Sequence, residues 1–296
     1  MAVFSACVLD VLVAKPGNVH QNASFHDLTW VDFRQSAEQI CRPFEEIREQ
    51  GLGRTIYAAI EATRKKVASN TNLGIVLLLA PLAMVPWEEP LKESNIGAVL
   101  GHLTVEDACW TYKGIALAQP GGMGKAKEQD VSEVPTVTLL EAMQMAADRD
   151  SIAAQYTTNY ELVREAVEAV LAPGNLSLEQ YPADAEQRIL RLALWLIYRA
   201  PDTLIARKCG PETAHEAARR AADVLESGIE PERLSAFDAW LRADGNRRNP
   251  GTTADLVVAC LYYVFRNRIW PLPPTRKIAD LMAAEEMKST EMRGSS

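Results

Sequence analysis

The sequence lacks the features that mark several large classes of protein. Its longest apolar stretch, residues 73–85, is shorter than the roughly 20 apolar residues that a membrane-spanning helix needs. Its five cysteines include no Cys-x-x-Cys pair, which is typical of reduced thiols in a cytoplasmic protein. The formal net charge is -8, whereas a nucleic-acid-binding protein needs a basic surface to displace counterions from phosphates. We therefore expect a cytoplasmic protein that binds neither a membrane nor a nucleic acid.

Strand patterns are also scarce, because alternation of apolar and polar residues with a period of two is almost absent. Apolar residues recur instead at helical spacing, and 48% of the residues are hydrophobic, enough for a sizeable core. No long linker divides the chain. We predict an all-α fold with a single globular multi-helix domain over residues 1–287 and a frayed polar tail at 288–296. The predicted helices are 3–14, 30 to beyond 41, 56–67, 73–85, 104–118, 137–147, 151–171, 183–199, 211–227, 233–242, 252–268 and 276–286.

Short polar segments stand where several of these predicted helices begin or end. Each carries residues that suit a phosphorylated ligand, since free N–H groups at a helix start bind phosphate oxygens and glycine permits close backbone approach. A turn or a helix cap would also explain any one of them by itself. The segments are Lys15-Pro16-Gly17-Asn18, His26-Asp27, Asn70-Thr71-Asn72-Leu73-Gly74, Asp202 to Gly210, and Asn249 to Asp255.

Charged residues in these segments indicate how the ligand's phosphates would be held. Arg207 and Lys208 can neutralise phosphates, and Asp27, Asp202 and Asp255 could hold Mg²⁺ between carboxylate and phosphate oxygens. The common nucleotide-binding motifs, Walker A and the Rossmann glycine pattern, are both missing. Glycines 121, 122 and 124 follow a predicted helix rather than a strand, so they are weak evidence for a phosphate loop. The four histidines show no metal-binding spacing, and no serine nucleophile elbow is present.

Taken together and in this order, the segments resemble the triphosphoribosyl-dephospho-CoA synthase family over roughly residues 8–265. The family's opening Glu-Val-Ser…Lys-Pro-Gly, its acidic loop and its Gly-Gly-Leu-Gly loop are similar to Asp10–Gly17, to His26-Asp27 with Thr29, and to 121–124. Its Asn-Thr-His-Lys-Gly segment falls on Asn70–Gly74. Its Asp-Thr-Asn segment is similar to Asp202-Thr203, and its Pro-Gly-x-x-Ala-Asp-Leu helix start is matched by Pro250 to Leu256.

Three segments depart from the family pattern, at four positions in all. Asn72 and Leu73 stand in place of His-Lys, Leu204 in place of the last Asn of Asp-Thr-Asn, and Thr29 in place of a second loop carboxylate. The first departure removes a cation that would meet a triphosphate. The resemblance therefore permits a pocket of the same geometry with a different ligand.

The resemblance implies an all-α transferase that moves the triphosphoribosyl part of ATP onto 3'-dephospho-CoA and releases adenine. Mg²⁺ is the implied cofactor, and ATP with dephospho-CoA or a related acceptor are the implied ligands. Asp27, Asp202 and Asp255 are the expected catalytic and metal-binding residues. The expected nucleotide-binding residues are Lys15, Gly17, Asn18, His26, Asn70, Thr71, Asn72, Gly74, Thr203, Arg207, Lys208, Gly251 and Thr252.

Two alternatives to this activity stay open. One is a related transferase of one-carbon cofactor biosynthesis, in a tetrahydromethanopterin or methanofuran pathway. The other is a nucleotide-binding protein that has lost catalysis. The oligomeric state, monomer or homodimer, is open as well.

Overall fold

Helices make up the fold of the computed structural model, which describes residues 1–120, 133–173 and 179–274. The described residues contain no strand, and only an isolated bridge joins His20 to Ala23. The predicted all-α fold class is therefore confirmed. Glycines 121, 122 and 124, the predicted helix 276–286 and the predicted tail 288–296 lie outside the described residues. The helices are α1 (Ala2–Leu12), α2 (Trp30–Glu45), α3 (Ile47–Gln50), α4 (Leu52–Arg64), α5 (Leu73–Met84), α6 (Glu93–Gly101), α7 (Val105–Ala118), α8 (Leu139–Gln144), α9 (Ser151–Thr157), α10 (Glu161–Ala166, continued by a π-helical turn over Val167–Leu171), α11 (Ala185–Arg199), α12 (Thr203–Cys209), α13 (Pro211–Glu226), α14 (Pro231–Arg242) and α15 (Gly251–Arg266).

The most apolar helix, α5, lies in the centre of the main core. Every residue from Leu73 to Leu82 is buried, because neighbours cover the helix on all sides. Helices α4 and α15 pack along it, and α1 packs against α15. Since α5 and α15 lie side by side, their first turns can contribute to one site.

Two tyrosines complete the hydrogen bonding of α5. Pro81 lies inside the helix and has no N–H, so the carbonyl of Leu77, four residues earlier, lacks its helical donor. The buried hydroxyl of Tyr156 donates to that carbonyl at 2.7 Å. The hydroxyl of Tyr160 donates to the carbonyl of Leu78, also at 2.7 Å. These bonds fix α9 and the start of α10 on α5.

We expect Tyr156→Phe to destabilise the protein by about 1–3 kcal/mol, because the Leu77 carbonyl would then be buried without a donor. The measurement is the free energy of unfolding in urea. Tyr198→Phe is the matched control, since Tyr198 is 52% exposed. If Tyr156→Phe lowers the free energy of unfolding no more than Tyr198→Phe does, the Tyr156 hydroxyl does not stabilise α5 as described.

A second, smaller core lies under α11 to α14. Its members include Ile197 of α11, Ile205 of α12, Ala217 of α13 and Leu241 of α14. This cluster fixes α12 and the C-terminal part of α14 beside the first turn of α15. It therefore positions the segment that carries Arg207 and Lys208.

Three features of the observed helices differ from the sequence prediction. Helices α6 and α12 lie in stretches for which no helix was predicted. The single helix predicted over residues 151–171 is wrong, because the chain breaks between α9 and α10. There Asn159 and Tyr160 both adopt positive φ, at 50° and 61°. No helix within the described ranges is long and apolar enough to cross a bilayer.

Candidate functional site

A cavity of about 1300 Å³ opens beside the first turns of α5 and α15. One wall is polar and comes from residues 18–28, the first turns of α5 and α15, and α12. The remaining wall comes mainly from α7, α8 and α9 and is largely apolar, with Ile115, Leu139, Met143 and Ile152 among its side chains. A single concave space thus offers groups for charge recognition next to a surface for uncharged parts of a ligand.

The polar wall contains most of the residues that the sequence proposed for a site. Twelve of the sixteen line the cavity, although they come from four separate parts of the chain. Residues that are far apart in the sequence therefore line one cavity. The twelve are Asn18, His26, Asp27, Asn70, Thr71, Asn72, Gly74, Arg207, Lys208, Gly251, Thr252 and Asp255.

The segment before α5 is held by its own side chains. The Oδ1 atom of Asn70 accepts a hydrogen bond from the N–H of Leu73 at 3.1 Å, which caps the helix start. Thr71 and Ser36 of α2 share a hydroxyl hydrogen bond of 2.5 Å. Asn72 donates through Nδ2 to the hydroxyl of Thr63 at 2.9 Å. These contacts fix the first turn of α5 against α2 and α4.

Gly74 and Asp255 depend on each other at the centre of the polar wall. A Cβ atom added at Gly74 would overlap with Oδ2 of Asp255. Only glycine therefore lets the carboxylate lie against the first turn of α5, where the helix dipole favours a negative charge. No described residue donates a hydrogen bond to this carboxylate. Asp255 thus lines the cavity without a hydrogen-bond donor among the described residues.

The electrostatics around Asp255 disfavour its charged form. Burial raises the pKa of this carboxyl well above its ordinary value, and the negative charges of Asp10, Asp202 and Asp150 raise it further. Arg207 opposes the shift but does not overcome it. A carboxyl with such a pKa is suited to proton transfer.

Two of the predicted phosphate-binding cations already have partners. Nη1 of Arg207 lies 2.9 Å from Oδ2 of Asp150, which also caps the start of α9. Lys208 donates to Oδ1 of Asn249 at 3.3 Å. Burial lowers the pKa of Lys208, and the nearby carboxylates of Asp202 and Asp27 oppose this shift in part.

Lys15 and Gly17 do not line the cavity, which corrects their predicted contact with a nucleotide. Lys15 is 1% exposed, donates to the carbonyl of Asp10, and lies 3.1 Å from Oδ1 of the same residue. It therefore ties the end of α1 to the turn that follows. Gly17 has a φ of 72°, and its N–H donates to Oδ1 of Asp238 at 2.7 Å. Both residues belong to the turn that leads to Asn18, and neither lines the cavity itself.

Asp202 and Thr203 also stand behind the cavity wall. Oδ1 of Asp202 accepts from the N–H groups of Leu204 and Ile205, at 2.9 and 3.0 Å. Its Oδ2 accepts from the N–H and the hydroxyl of Thr253, at 2.7 and 2.8 Å. Burial raises the pKa of Asp202, and these donors oppose the shift. Asp202 therefore joins α12 to α15 and has no oxygen left for a substrate. Thr203 donates to the hydroxyl of Thr252 at 3.3 Å.

The three aspartates expected to hold Mg²⁺ are not brought together as one group. In the described parts of the chain, no cluster of three or more His, Cys, Asp or Glu side chains could hold a metal ion. Asp27 is exposed at one edge of the cavity, whereas Asp202 is engaged with α12 and α15. The residues present therefore do not fit a resident ion held by all three carboxylates.

Among the described residues, the sequence-based site omitted four charged residues of the cavity: Asp10, Arg64, Arg149 and Asp150. Asp10 is buried in α1, Arg64 is the last residue of α4, and Asp150 caps α9. Burial raises the pKa of Asp10, although Lys15 beside it acts in the opposite direction. Arg64, Arg149 and Asp150 stand within or beside ordinary helical patterns, so no local motif marked them. Asp10 entered only as the first residue of the segment that resembles the family's opening motif. The apolar wall was missed for the same reason.

Comparisons with known proteins agree with this architecture. The family model CitG, ATP:dephospho-CoA triphosphoribosyl transferase, matches residues 1–272. Among solved structures, a candidate triphosphoribosyl-dephospho-CoA synthase from Archaeoglobus fulgidus is similar, with a TM-score of 0.62 and 22% identity. The alignment covers 78% of this chain and 97% of that one, and at this identity it bears on the fold. No curated protein gives a significant match.

Proposed function

This chain belongs to the CitG family of ATP:dephospho-CoA triphosphoribosyl transferases, and we propose that it transfers the triphosphoribosyl group of ATP to a nucleotide acceptor and releases adenine. Within the family reaction the acceptor is 3'-dephospho-CoA. The cavity beside α5 and α15 is the proposed active site. The chain is a transferase, and its particular acceptor is the part that experiment must establish.

The observation that carries this proposal is the cavity with two unlike walls. Pockets for a single small ligand measure about 300–1,000 Å³, and this cavity is larger, at about 1300 Å³. It therefore has room for two substrates at once. The polar wall suits the triphosphate, and the apolar wall suits the uncharged arm of an acceptor such as dephospho-CoA.

Asp255 is the group that we assign to proton transfer. An acceptor hydroxyl attacks the anomeric carbon of the ribose, and the bond from that carbon to adenine breaks as the new bond forms. The Asp255 carboxylate takes the hydroxyl proton and later releases it to water, and the departing adenine takes one proton from water, so the reaction is balanced without another reactant. Holding the two substrates in contact provides much of the acceleration.

In this proposal, Mg²⁺ is bound to the phosphates of ATP and arrives with this substrate. Mg²⁺ is commonly held by one or two carboxylates together with substrate phosphates, so a protein cage of three carboxylates is unnecessary. Asp27 is exposed at the cavity edge, close enough to Lys208 to affect its pKa. It is the carboxylate that we propose for contact with Mg²⁺ carried by ATP.

The proposal predicts that the purified protein will release adenine when ATP, Mg²⁺ and 3'-dephospho-CoA are all present. Chromatography would follow adenine, and mass spectrometry would follow the triphosphoribosyl product. Reactions that lack the acceptor or contain Asp255→Asn are the controls. A folded protein that releases no adenine above these controls would contradict the activity with this acceptor.

The same experiment separates the two alternatives. The uncharged pair Asn72 and Leu73 in the first turn of α5 favours a changed acceptor, as in a transferase of one-carbon cofactor biosynthesis. Such an enzyme would release adenine only with a different hydroxyl-bearing acceptor. A binding protein without catalysis would bind ATP in calorimetry and would release no adenine with any acceptor tested.

A further inference from the structure

We infer that Arg64 is the principal side chain that binds the polyphosphate of the nucleotide in this cavity. The inference rests on the proposed function only for the identity of the ligand. No motif marked Arg64, because it is the last residue of α4 and is followed by Lys65 and Lys66 in an ordinary basic stretch. Its assignment comes from its surroundings in the fold.

Arg64 differs from the other cations that line the cavity. Four of the described lysines and arginines do so, and three of them have partners: Arg149 at the Met145 carbonyl, Arg207 at Asp150, and Lys208 at Asn249. Arg64 is half-buried, and within the described ranges it has neither an ion pair nor a side-chain hydrogen bond. Among the cations of the described residues that line the cavity, the Arg64 guanidinium is therefore the one still available to a ligand.

The position of Arg64 is fixed by its neighbour in the chain. The hydroxyl of Thr63 accepts from Nδ2 of Asn72 at 2.9 Å and donates to the carbonyl of Ala59 at 3.0 Å. The first bond attaches the end of α4 to the residue at the start of α5, and the second fixes the Thr63 hydroxyl within α4. Arg64 is therefore held on the cavity wall beside Asn70–Gly74.

The charge balance of the chain makes a free arginine at this position informative. The sequence has 39 acidic residues against 31 lysines and arginines, so potential partners are abundant. A partly buried cation without a partner is unfavourable until a ligand provides one. Arginine offers several N–H donors in a planar fork, which match the oxygen atoms of phosphate better than those of an uncharged ligand.

The test is calorimetry with inorganic triphosphate on four proteins: wild type, Arg64→Met, Arg64→Lys and Lys66→Gln. Arg64→Met removes the charge and keeps the apolar stem, whereas Lys66→Gln removes an exposed charge two residues further along. We expect Arg64→Met to weaken triphosphate binding by about tenfold to a hundredfold, the range for a charge-assisted hydrogen bond. Arg64→Lys should recover part of the loss, and Lys66→Gln should stay within about twofold of the wild type.

The outcomes separate this inference from the proposed reaction. Binding of triphosphate that depends on Arg64 supports the inference even if no adenine is ever released. Unchanged binding in Arg64→Met, an equal loss in Lys66→Gln, or no binding by the wild type would overturn it. Thermal melting of each variant checks folding. If Arg64→Met melts early, the affinities of the wild type and of Arg64→Lys for ATP and for AMP are compared instead. Equal losses of affinity for ATP and for AMP in Arg64→Lys would contradict a role in polyphosphate binding.

Discussion

Asp255→Asn should abolish most of the adenine release and at the same time raise the melting temperature of the ligand-free protein. The activity falls because the amide cannot take the proton of the acceptor hydroxyl. General acid–base catalysis typically contributes about a hundredfold to ten-thousandfold, and we expect a loss in that range. The shape of the side chain is preserved, so its fit against Gly74 is retained.

The gain in stability follows from the electrostatics of the buried carboxyl. Burial and the charges of Asp10, Asp202 and Asp150 raise the pKa of Asp255 in the folded protein. A raised folded pKa means that stability falls as the pH rises from about 4, the ordinary value for Asp, through the raised value. Asparagine removes this loss, and the removal is worth about 1.4 kcal/mol for each unit by which the pKa is raised.

The measurement is the melting temperature of wild type and Asp255→Asn between pH 3 and pH 8. We expect the variant's advantage to be absent near pH 3, where the wild-type carboxyl is protonated in both states, and to grow to about 2 °C or more near pH 8. Asp223→Asn is the control, because it removes the same charge from an exposed position on α13. A variant that is destabilised at neutral pH would show that the Asp255 carboxylate supports the fold.

The sequence predicted elements well where one face of a helix is apolar over several turns. Helices α7, α11 and α15 agree with their predicted ranges to within a few residues. The prediction failed where a tertiary contact decides the local structure. Helix α12 is only seven residues long and begins at the buried cap Asp202, whose partners come from α15. No neighbouring residue in the sequence reveals that long-range contact.

The site shows the same division between local and long-range information. Asn70 to Gly74 and Gly251 to Asp255 were recognisable because glycine, asparagine and aspartate have particular roles at helix starts. Which of the flagged residues face a ligand was not recognisable. Lys15 and Asp202 carry the residue types of a binding site, yet their groups are used to join α1 to its turn and α12 to α15. Arg64 carries no such mark and lines the cavity.

Asp202→Ala should lower the stability of the protein by about 3 kcal/mol or more, the opposite sign to Asp255→Asn. The substitution removes a helix cap, which by itself contributes about 1 kcal/mol. It also leaves the buried N–H and hydroxyl of Thr253 without an acceptor, and each such unpaired group costs about 1–3 kcal/mol. Since Asp202 is 1% exposed, water cannot replace the lost acceptor at little cost.

The free energy of unfolding in urea would measure this effect, with Thr104→Ala as the matched control. Thr104 caps α7 from an exposed position, where its side chain accepts from the N–H of Asp107. We expect the control to lose only about 1 kcal/mol, because water replaces the missing acceptor. Equal losses in the two variants would mean that Asp202 acts as an ordinary cap. A larger loss in Asp202→Ala, together with weaker ATP binding, would instead show that the joint between α12 and α15 shapes the cavity wall that carries Asp255.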